Sequence, residues 1–442
     1  MSIIPQVSHA MHTLLTTTVE TVATTVTYVK RADRAKFTPS TLIQTLVYGW
    51  LANPTASLGQ LAQMAARIGV EVSPQAIDRR FTMATAQVLQ EVLTASMEHL
   101  ITADPVAIPI LQRFTSVRIH DSTTIGLPDT LTTSYRGCGN DTSRGTAGLK
   151  CGVQLDLLTG ALCGLDLTDG RASDQALPIQ HAPMPAGSLR LADLGFYNLG
   201  VLAALDRDGI YWLSRLQHRS RIRIAGQREH SILQFVESLG AVEQWDGPVL
   251  VGGVRRLAAR LLVQRVPPAV AEQRRQRLQA EAHEKRRPLP KDARALTEWT
   301  ILITNVPREH LSLAEAMVLI RIRWQIELLF KLWKSHAQLD AWRTQKPARI
   351  LCEIYAKLIG LVLQQWLVAA SMWHDAERSL VKAAQIVMAY AGDLASAHAC
   401  PRRFGNIVAE LARVMARLAR IQKRQKHPST AQRLAALTAG EG

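Results

Sequence analysis

Arg323, Glu327, Lys331 and Lys334 recur four, four and three residues apart within RIRWQIELLFKLWKSH. At about 100° per residue on a helix they fall within an arc of about 80°, so the four charged groups share one face. Ile326, Leu328, Leu329, Leu332 and Trp333 lie mostly on the other side. Such a helix can bury its apolar face while presenting a carboxylate flanked by cations. A carboxylate so held is a hard oxygen ligand of the kind Mg²⁺ and Mn²⁺ prefer. Spacing alone fits a solvated stripe of salt bridges even better, because Arg323 to Glu327 and Glu327 to Lys331 are both four apart.

The composition shifts the odds between these readings. The chain has 442 residues, 47% hydrophobic and 20% charged, enough for a substantial core divided over two or three packed domains. Lys plus Arg number 52 against 36 Asp plus Glu, a net charge of +16 whose field concentrates polyanions, with nucleic acid the economical partner. A basic but inert surface is the plain alternative. Five cysteines, Cys138, Cys151, Cys163, Cys352 and Cys400, include no C-x-x-C pair, which argues against a zinc site and a disulfide framework and fits a reducing cytoplasm. No signal peptide opens the sequence. The most apolar stretch, ILCEIYAKLIGLVLQQWLVAASMW, is interrupted by Glu353, Lys357, Gln364 and Gln365 and reads as a buried helix rather than a membrane span.

Elements that would position the charged helix follow from periodicity. Residues 1–105 read as helical, with breaks at Asn53-Pro54 and around Gly69. Within them SLGQLAQMAARIGVEVSPQAIDRR has the grammar of helix, turn, and a second helix capped by Ser73 and begun by Pro74. As a helix-turn-helix it would turn Gln75, Asp78, Arg79 and Arg80 to DNA; an ordinary helical hairpin fits as well. Strands are expected in SVRIHDSTTIGL, in LKCGVQLDLLTG and ALCGLDLTDG joined at Thr159-Gly160, in SLRLADLGF, and, after a helix from Asn198 to Arg207, in IYWLSRL. This order suggests a mixed α/β sheet. Residues 218–305 interrupt it with strand-like GPVLVGGV and WTILITN around a charged segment, which carries twelve Lys or Arg against four Asp or Glu from Arg255 to Arg294. One long helix from Ser312 to about Leu339 follows. The remainder is helical and basic, ending in a dozen residues that read as a frayed tail.

RWQIELLFKLWK resembles the core of the Y-x-x-R-x-x-x-E-x-x-x-x-x-x-K signature of DDE transposases of the insertion-sequence-4 family, with Arg323, Glu327 and Lys334 at the R, E and K positions. Ile320 stands where that signature has Tyr. The resemblance implies that Glu327 is the third metal-binding carboxylate, that Arg323 and Lys334 hold transposon-end phosphates, and, by extension, that Lys331 does so too. It also implies a ribonuclease H-like fold. VRIHDST is similar to the first-Asp strand of that family and LRLADLGFYN to the second, which nominates Asp121 and Asp193 as catalytic and metal-binding. In that fold the first and fourth strands are neighbours.

From Asp121 to Asp193 is 72 residues, and from Asp193 to Glu327 is 134. The second gap is too long for one connection and implies an inserted domain, as in the family. The expected fold is therefore α/β, a mixed five-stranded ribonuclease H-like sheet interrupted by a mainly β insertion and flanked by helical domains. Its boundaries are 1–105 for a DNA-binding domain, 106–217 and 306–345 for the catalytic domain, 218–305 for the insertion, and 346–442 for a dimerisation and DNA-contact region. Asp156, Asp166, Asp169 and Asp174 compete as carboxylates but lack the motif context. His120 is given no metal role. Trp299 occupies a place where related transposases hold a flipped base; burial in the core is about equally expected.

The resemblance further implies two Mg²⁺ ions per site, Mn²⁺ substituting, for in-line displacement by water and then by a 3′-hydroxyl. No covalent protein–DNA intermediate is needed. Expected partners are the terminal inverted repeats and target DNA as duplexes, and a second copy of the chain in a homodimeric synaptic complex, with no membrane. Basic residues Arg413, Arg417, Arg420, Lys423 and Arg424 are candidates for DNA or subunit contact, or a solvated face. The location expected is the bacterial cytoplasm, on the nucleoid. A metal-dependent nuclease that does not join strands, and a DNA-binding relic or regulator, are the alternatives.

Overall fold

A computed structural model describes residues 3–26, 36–138, 146–253, 256–284, 288 and 291–421. The chain opens with helices α1 (Ile4–Thr13), α2 (Val19–Thr25), α3 (Pro39–Ala52), α4 (Leu58–Arg67), α5 (Pro74–Asp78) and α6 (Met83–Ser96). Their starts are local chemistry: Thr38, Ser57, Ser73 and Thr82 each accept a hydrogen bond from a first-turn backbone N–H. Strands β1 (Val117–Leu127), β2 (Ala147–Asp156), β3 (Leu162–Asp169) and β4 (Leu189–Ala192) follow, then α7 (Leu199–Arg207), capped by Asn198, and β5 (Tyr211–Arg215). Next come β6 (Arg221–Arg223), β7 (Glu229–Ser231), α8 (Ile232–Ser238), β8 (Gln244–Val251), β9 (Leu257–Arg265), α9 (Pro268–Glu284), α10 (Lys291–Ala295) and β10 (Trp299–Thr304). The chain continues through α11 (Leu313–Ile322), α12 (Trp324–Ser335), α13 (Pro347–Met372), α14 (Leu380–Ala397) and α15 (Pro401–Leu418).

Internal contacts divide the chain into two compact units. Of the described residues, one takes in those from 3 to 107, 122 to 172 and 325 to 421, the other those from 108 to 121 and 173 to 324. The frayed tail expected from the sequence, with Lys423 and Arg424, lies outside the described residues.

In the first unit α13 is the central element. By length and composition it could cross a bilayer, yet it is buried along that length among α1, α3, α6, α14 and α15. Its polar residues have partners. The Glu353 and Lys357 side chains are 7% and 1% exposed and pair at 2.8 Å. Lys357 Nζ also donates to the carbonyls of Gln338 (2.8 Å) and Ala341 (3.0 Å). Burial pushes the Glu353 carboxyl up and the Lys357 ammonium down from their ordinary ranges, and the pairing opposes both shifts. Gln338 sits at φ 45°, a left-handed conformation that a side chain disfavours. Lys357 therefore holds a strained turn just past α12.

The β2–β3 hairpin leans on the same helix. Its strands pair antiparallel from Leu149↔Asp169 to Leu155↔Leu162. Gln365 Nε2 donates to the Gly160 carbonyl at 2.7 Å and Trp373 Nε1 to the Leu157 carbonyl at 2.9 Å. Gly160 has φ +74°, and a Cβ there would run into the Trp373 ring, so both the turn and the packing require glycine. Tyr135 and Tyr355 share a buried hydroxyl contact of 2.6 Å.

The second unit is a mixed sheet in the order β1-β4-β5-β10-β9-β8-β6-β7. β1 pairs parallel to β4 from Val117↔Leu189 to His120↔Ala192, and β4 pairs parallel to β5. From β5 outward the pairing is antiparallel, through β10 to β9 and β8. The 218–305 segment expected as an insertion thus adds strands to the same sheet, and it also holds the 17-residue helix α9. Trp212, Phe235, Leu261, Val263 and Ile303 lie in its main core; Leu177, Ile179, Ala192 and Phe196 form a smaller one beside β4.

Removing one partner of the buried pair should be costly. Lys357→Met is expected to destabilise the protein by about 3–5 kcal/mol in urea unfolding, because Glu353 is left buried without its partner. Adding Glu353→Leu should recover only part of the loss, since the carbonyls of Gln338 and Ala341 still lack their donor.

Candidate active site

The parallel register of β1 and β4 ends at His120↔Ala192, and the next residue of each segment is an aspartate, Asp121 within β1 and Asp193 just past β4. Asp121 and Asp193 are thereby set at the same level on neighbouring strands. Successive strand residues alternate faces, so His120 and Arg190 belong to the opposite side. Both are buried there. Arg190 donates through Nη2 to Gln180 Oε1, and Gln180 Nε2 donates to the Phe196 carbonyl at 3.0 Å. Burial, with Arg190 and Arg118 nearby, holds the His120 imidazole well below its ordinary pKa, and burial lowers Arg190 to about 10. The centroid of the His120 ring lies 6.4 Å from that of Phe196.

Arg323 lies between the two aspartates. Its Nη1 donates to Asp121 Oδ2 at 2.8 Å, and its Nη2 is 3.9 Å from Asp193 Oδ1. The Arg323 and Asp121 side chains are 14% and 16% exposed, that of Asp193 43%. Several contacts fix the helix that delivers this guanidinium. Ser312 and Glu315 cap α11 reciprocally. Arg113, four residues before β1, reaches the Glu315 carboxylate at 2.8 Å and the His310 carbonyl at 3.0 Å. Arg260 on β9 grips Asp246 through two hydrogen bonds of 2.7 Å and donates to the Leu311 carbonyl at 2.6 Å.

The single helix expected from Ser312 to Leu339 is two. α11 ends at Ile322 and α12 begins at Trp324, with Arg323 (φ −49°, ψ −29°) at the break; α12 stops at Ser335, before the strained turn at Gln338. The expected faces largely hold. Ile326, Leu329, Phe330, Leu332 and Trp333 are buried, Lys331 is exposed, and Glu327 and Lys334 are half-buried. Leu328, expected on the apolar side, is exposed. Lys334 Nζ donates to the Thr124 carbonyl on β1 at 3.0 Å. Ile320 is buried, so the departure from the signature places a methyl-bearing side chain in the core.

Asp121, Asp193 and Arg323 come together within one unit. Glu327, Lys331 and Lys334 lie on the part of α12 that belongs to the other. Among the described residues no three His, Cys, Asp or Glu side chains are grouped to hold a metal ion. Of the competing carboxylates, Asp156 accepts from Leu158 N and Thr159 Oγ1 and so shapes its own turn. Asp169 accepts from Arg136 N. Trp299 is 7% exposed in the main core of its unit, with the Arg265 guanidinium 4.5 Å above its ring, the arrangement of a core residue. The helix-turn-helix reading meets a second helix of only five residues, whose Asp78 faces inward to Lys346 (2.8 Å) and Arg349 (3.3 Å).

Two features escaped the sequence reading. Arg323 is a counter-ion of both aspartates, which nothing in its spacing reveals. Trp324 beside it is 55% exposed. Its signal was available, since Trp324 falls outside the 322, 326, 329, 333 stripe that the helix buries.

The model of the transposase DDE domain family matches residues 112–363. The chain is similar to the transposase for insertion sequence element IS231F of Bacillus thuringiensis subsp. israelensis, 26% identical over 359 residues that cover 76% of this chain and 74% of the relative. It is similar to the transposase for IS231E of Bacillus thuringiensis subsp. finitimus, 26% identical over 378 residues, 80% of this chain and 77% of that one. Among solved structures it is similar to a piggyBac transposase synaptic complex with hairpin DNA, seen by cryo-electron microscopy, at a TM-score of 0.47 and 9% identity over 97% of this chain and 87% of that one.

The turn after Asp193 offers a local test. A Cβ on Gly195 would meet the Asp174 carboxylate, so Gly195→Ala should lower stability by about 1–3 kcal/mol in thermal or urea unfolding. Asp174→Ala in the same chain should return most of that loss; additive losses would mean that the crowding lies elsewhere.

Proposed function

We propose, because the chain belongs to the transposase DDE domain family, that it is the transposase of an insertion sequence, an enzyme that binds the terminal inverted repeats of its element, cleaves DNA and transfers strands by cut and paste. The observation that carries this reading to particular residues is the convergence of Asp121 and Asp193 on one cationic group where the parallel pairing of β1 and β4 stops. The β1-β4-β5 order and the β2–β3 hairpin support a ribonuclease H-like core. In this reading residues 106–217 and 306–345 form the catalytic domain, 218–305 the insertion, 1–105 a DNA-binding domain, and 346–442 a region for DNA contact and dimerisation. Such a protein works on the nucleoid in the bacterial cytoplasm.

The donor set fits a hard divalent cation. Two carboxylates already share one positive centre, and both offer only oxygen. Asp121, Asp193 and Glu327 would hold Mg²⁺ or Mn²⁺, two ions per site. When bound, these supply Lewis acidity at the attacking and leaving oxygens of an in-line displacement. The chain's own part is positioning. β1 and β4 fix the two aspartates, and α12 carries Glu327. Lys331 and Lys334 hold phosphates of the transposon end, as does Arg323 once DNA is bound. Trp299 is the proposed base-stacking residue of the insertion and would have to leave its packed position under Arg265 to act so. Water first, then a DNA 3′-hydroxyl, serves as nucleophile, so no protein side chain forms a bond to DNA. Two ends brought together call for two copies of the chain.

Asp121→Ala, Asp193→Ala and Glu327→Ala should each abolish Mg²⁺-dependent cleavage of the element's end DNA while leaving gel-shift binding of that DNA intact. Full cleavage by any one variant removes that residue from the site. Strand-transfer products from a pre-cleaved end distinguish the transposase from a nuclease.

The exposed arginines of α15 generate a second expectation. If Arg413 and Arg417 bind phosphates, changing both to Glu should weaken DNA binding and reduce the slope of log affinity against log salt by about 0.9 for each phosphate no longer neutralised. An unchanged slope assigns them to the solvated face of the helix.

A further inference from the structure

A guanidinium that is to hold a DNA phosphate is committed in the DNA-free chain to two carboxylates. Arg323 Nη1 lies 2.8 Å from Asp121 Oδ2 and Nη2 3.9 Å from Asp193 Oδ1. The planar fork that suits a carboxylate suits a phosphate equally well. Two neighbouring carboxylates repel, and the partial burial of Asp121 leaves that repulsion less screened than between two fully exposed groups. A divalent cation taking both carboxylates takes these two contacts from Arg323. A phosphate taking Arg323 takes the guanidinium away from both carboxylates. Either event alone is opposed; together they complete each other.

We infer that Arg323 is an internal counter-ion exchanged during assembly, held by Asp121 and Asp193 before DNA binds and passed to a backbone phosphate when the carboxylates take divalent cations. Cation loading and DNA loading are then coupled, and by linkage each strengthens the other by the same factor. The inference rests on the reading of Asp121 and Asp193 as cation ligands. A purely structural Arg323, a brace between the two aspartates and the end of α11, would matter for stability and leave cation affinity alone.

The test measures Mn²⁺ binding to the full chain without DNA, by electron paramagnetic resonance and calorimetry. Arg323→Gln should bind Mn²⁺ about tenfold more tightly than the wild type, the size expected for freeing a charge-assisted hydrogen bond. Arg323→Lys, which keeps the charge, should gain less. Adding Asp121→Asn to Arg323→Gln should erase the gain. Affinity unchanged or weakened in Arg323→Gln, with Mn²⁺ binding still dependent on Asp121, overturns the inference alone. Mn²⁺ binding that ignores Asp121→Asn overturns the metal site and the inference with it. Should Arg323→Gln fail to fold, the wild type suffices: Ca²⁺ should tighten its grip on end DNA, and independent binding of the two overturns the proposal.

Discussion

Two aspartates cannot be set side by side on adjacent strands without something positive between them. The parallel pairing of β1 and β4 imposes that situation by backbone geometry alone, because Asp121 and Asp193 each follow the last residue that the two strands pair with one another. The small core of Leu177, Ile179, Ala192 and Phe196 fixes β4 from beneath. The capped start of α11, held by Arg113 and Arg260, sets the helix that ends on Arg323. Many interactions of this unit are thus remote from the carboxylates and still serve the charge balance between them.

A different logic governs the helical unit. There a 26-residue apolar helix supplies packing in every direction and carries its own ion pair, Glu353–Lys357. A buried pair of this kind contributes little net stability. Its use is directional, since the hydrogen bonds from Lys357 to the Gln338 and Ala341 carbonyls stop the turn after α12 from relaxing. The hairpin turn at Gly160, seated against Trp373 and Gln365, is held by the same helix. α13 thus organises both the end of the Glu327 helix and the hairpin within one unit.

Much of this was legible beforehand where local chemistry decides. Alternation marked β1, and strand-like runs marked β2, β3, β4 and β5; Ser312, Ser73 and Asn198 announced the helices they cap; the polar interruptions of the α13 stretch identified it as buried. Features set by partners distant in sequence were not legible. Arg323 is a good helix former, and only the structure shows a break at that residue. Trp299 reads the same whether it faces a base or a core, and the choice lies with Arg265 and the strands around it. The pairing of β10 with β5, which joins the inserted strands to the sheet, depends on residues about ninety positions apart. Asp121 and Asp193 were named by motif; that they share a counter-ion follows from where β1 and β4 stop pairing and where α11 ends.

The division of the chain into interleaved units bears on how the protein is made. Strand β1 passes from one unit to the other between Asp121 and Ser122, and the chain crosses again after Ala172 and at Trp324. The helical unit gathers its described residues from as far apart as 3 and 421. Synthesis proceeds from the N-terminus, so the first helices emerge long before α13, the element they bury. The helical unit cannot be finished as an autonomous block on the ribosome, and its folding must wait for contacts of high sequence separation. A shortened product ending before α13 therefore leaves the apolar faces of α3 and α6 uncovered, making it a substrate for chaperones and proteases rather than a free-standing DNA-binding fragment.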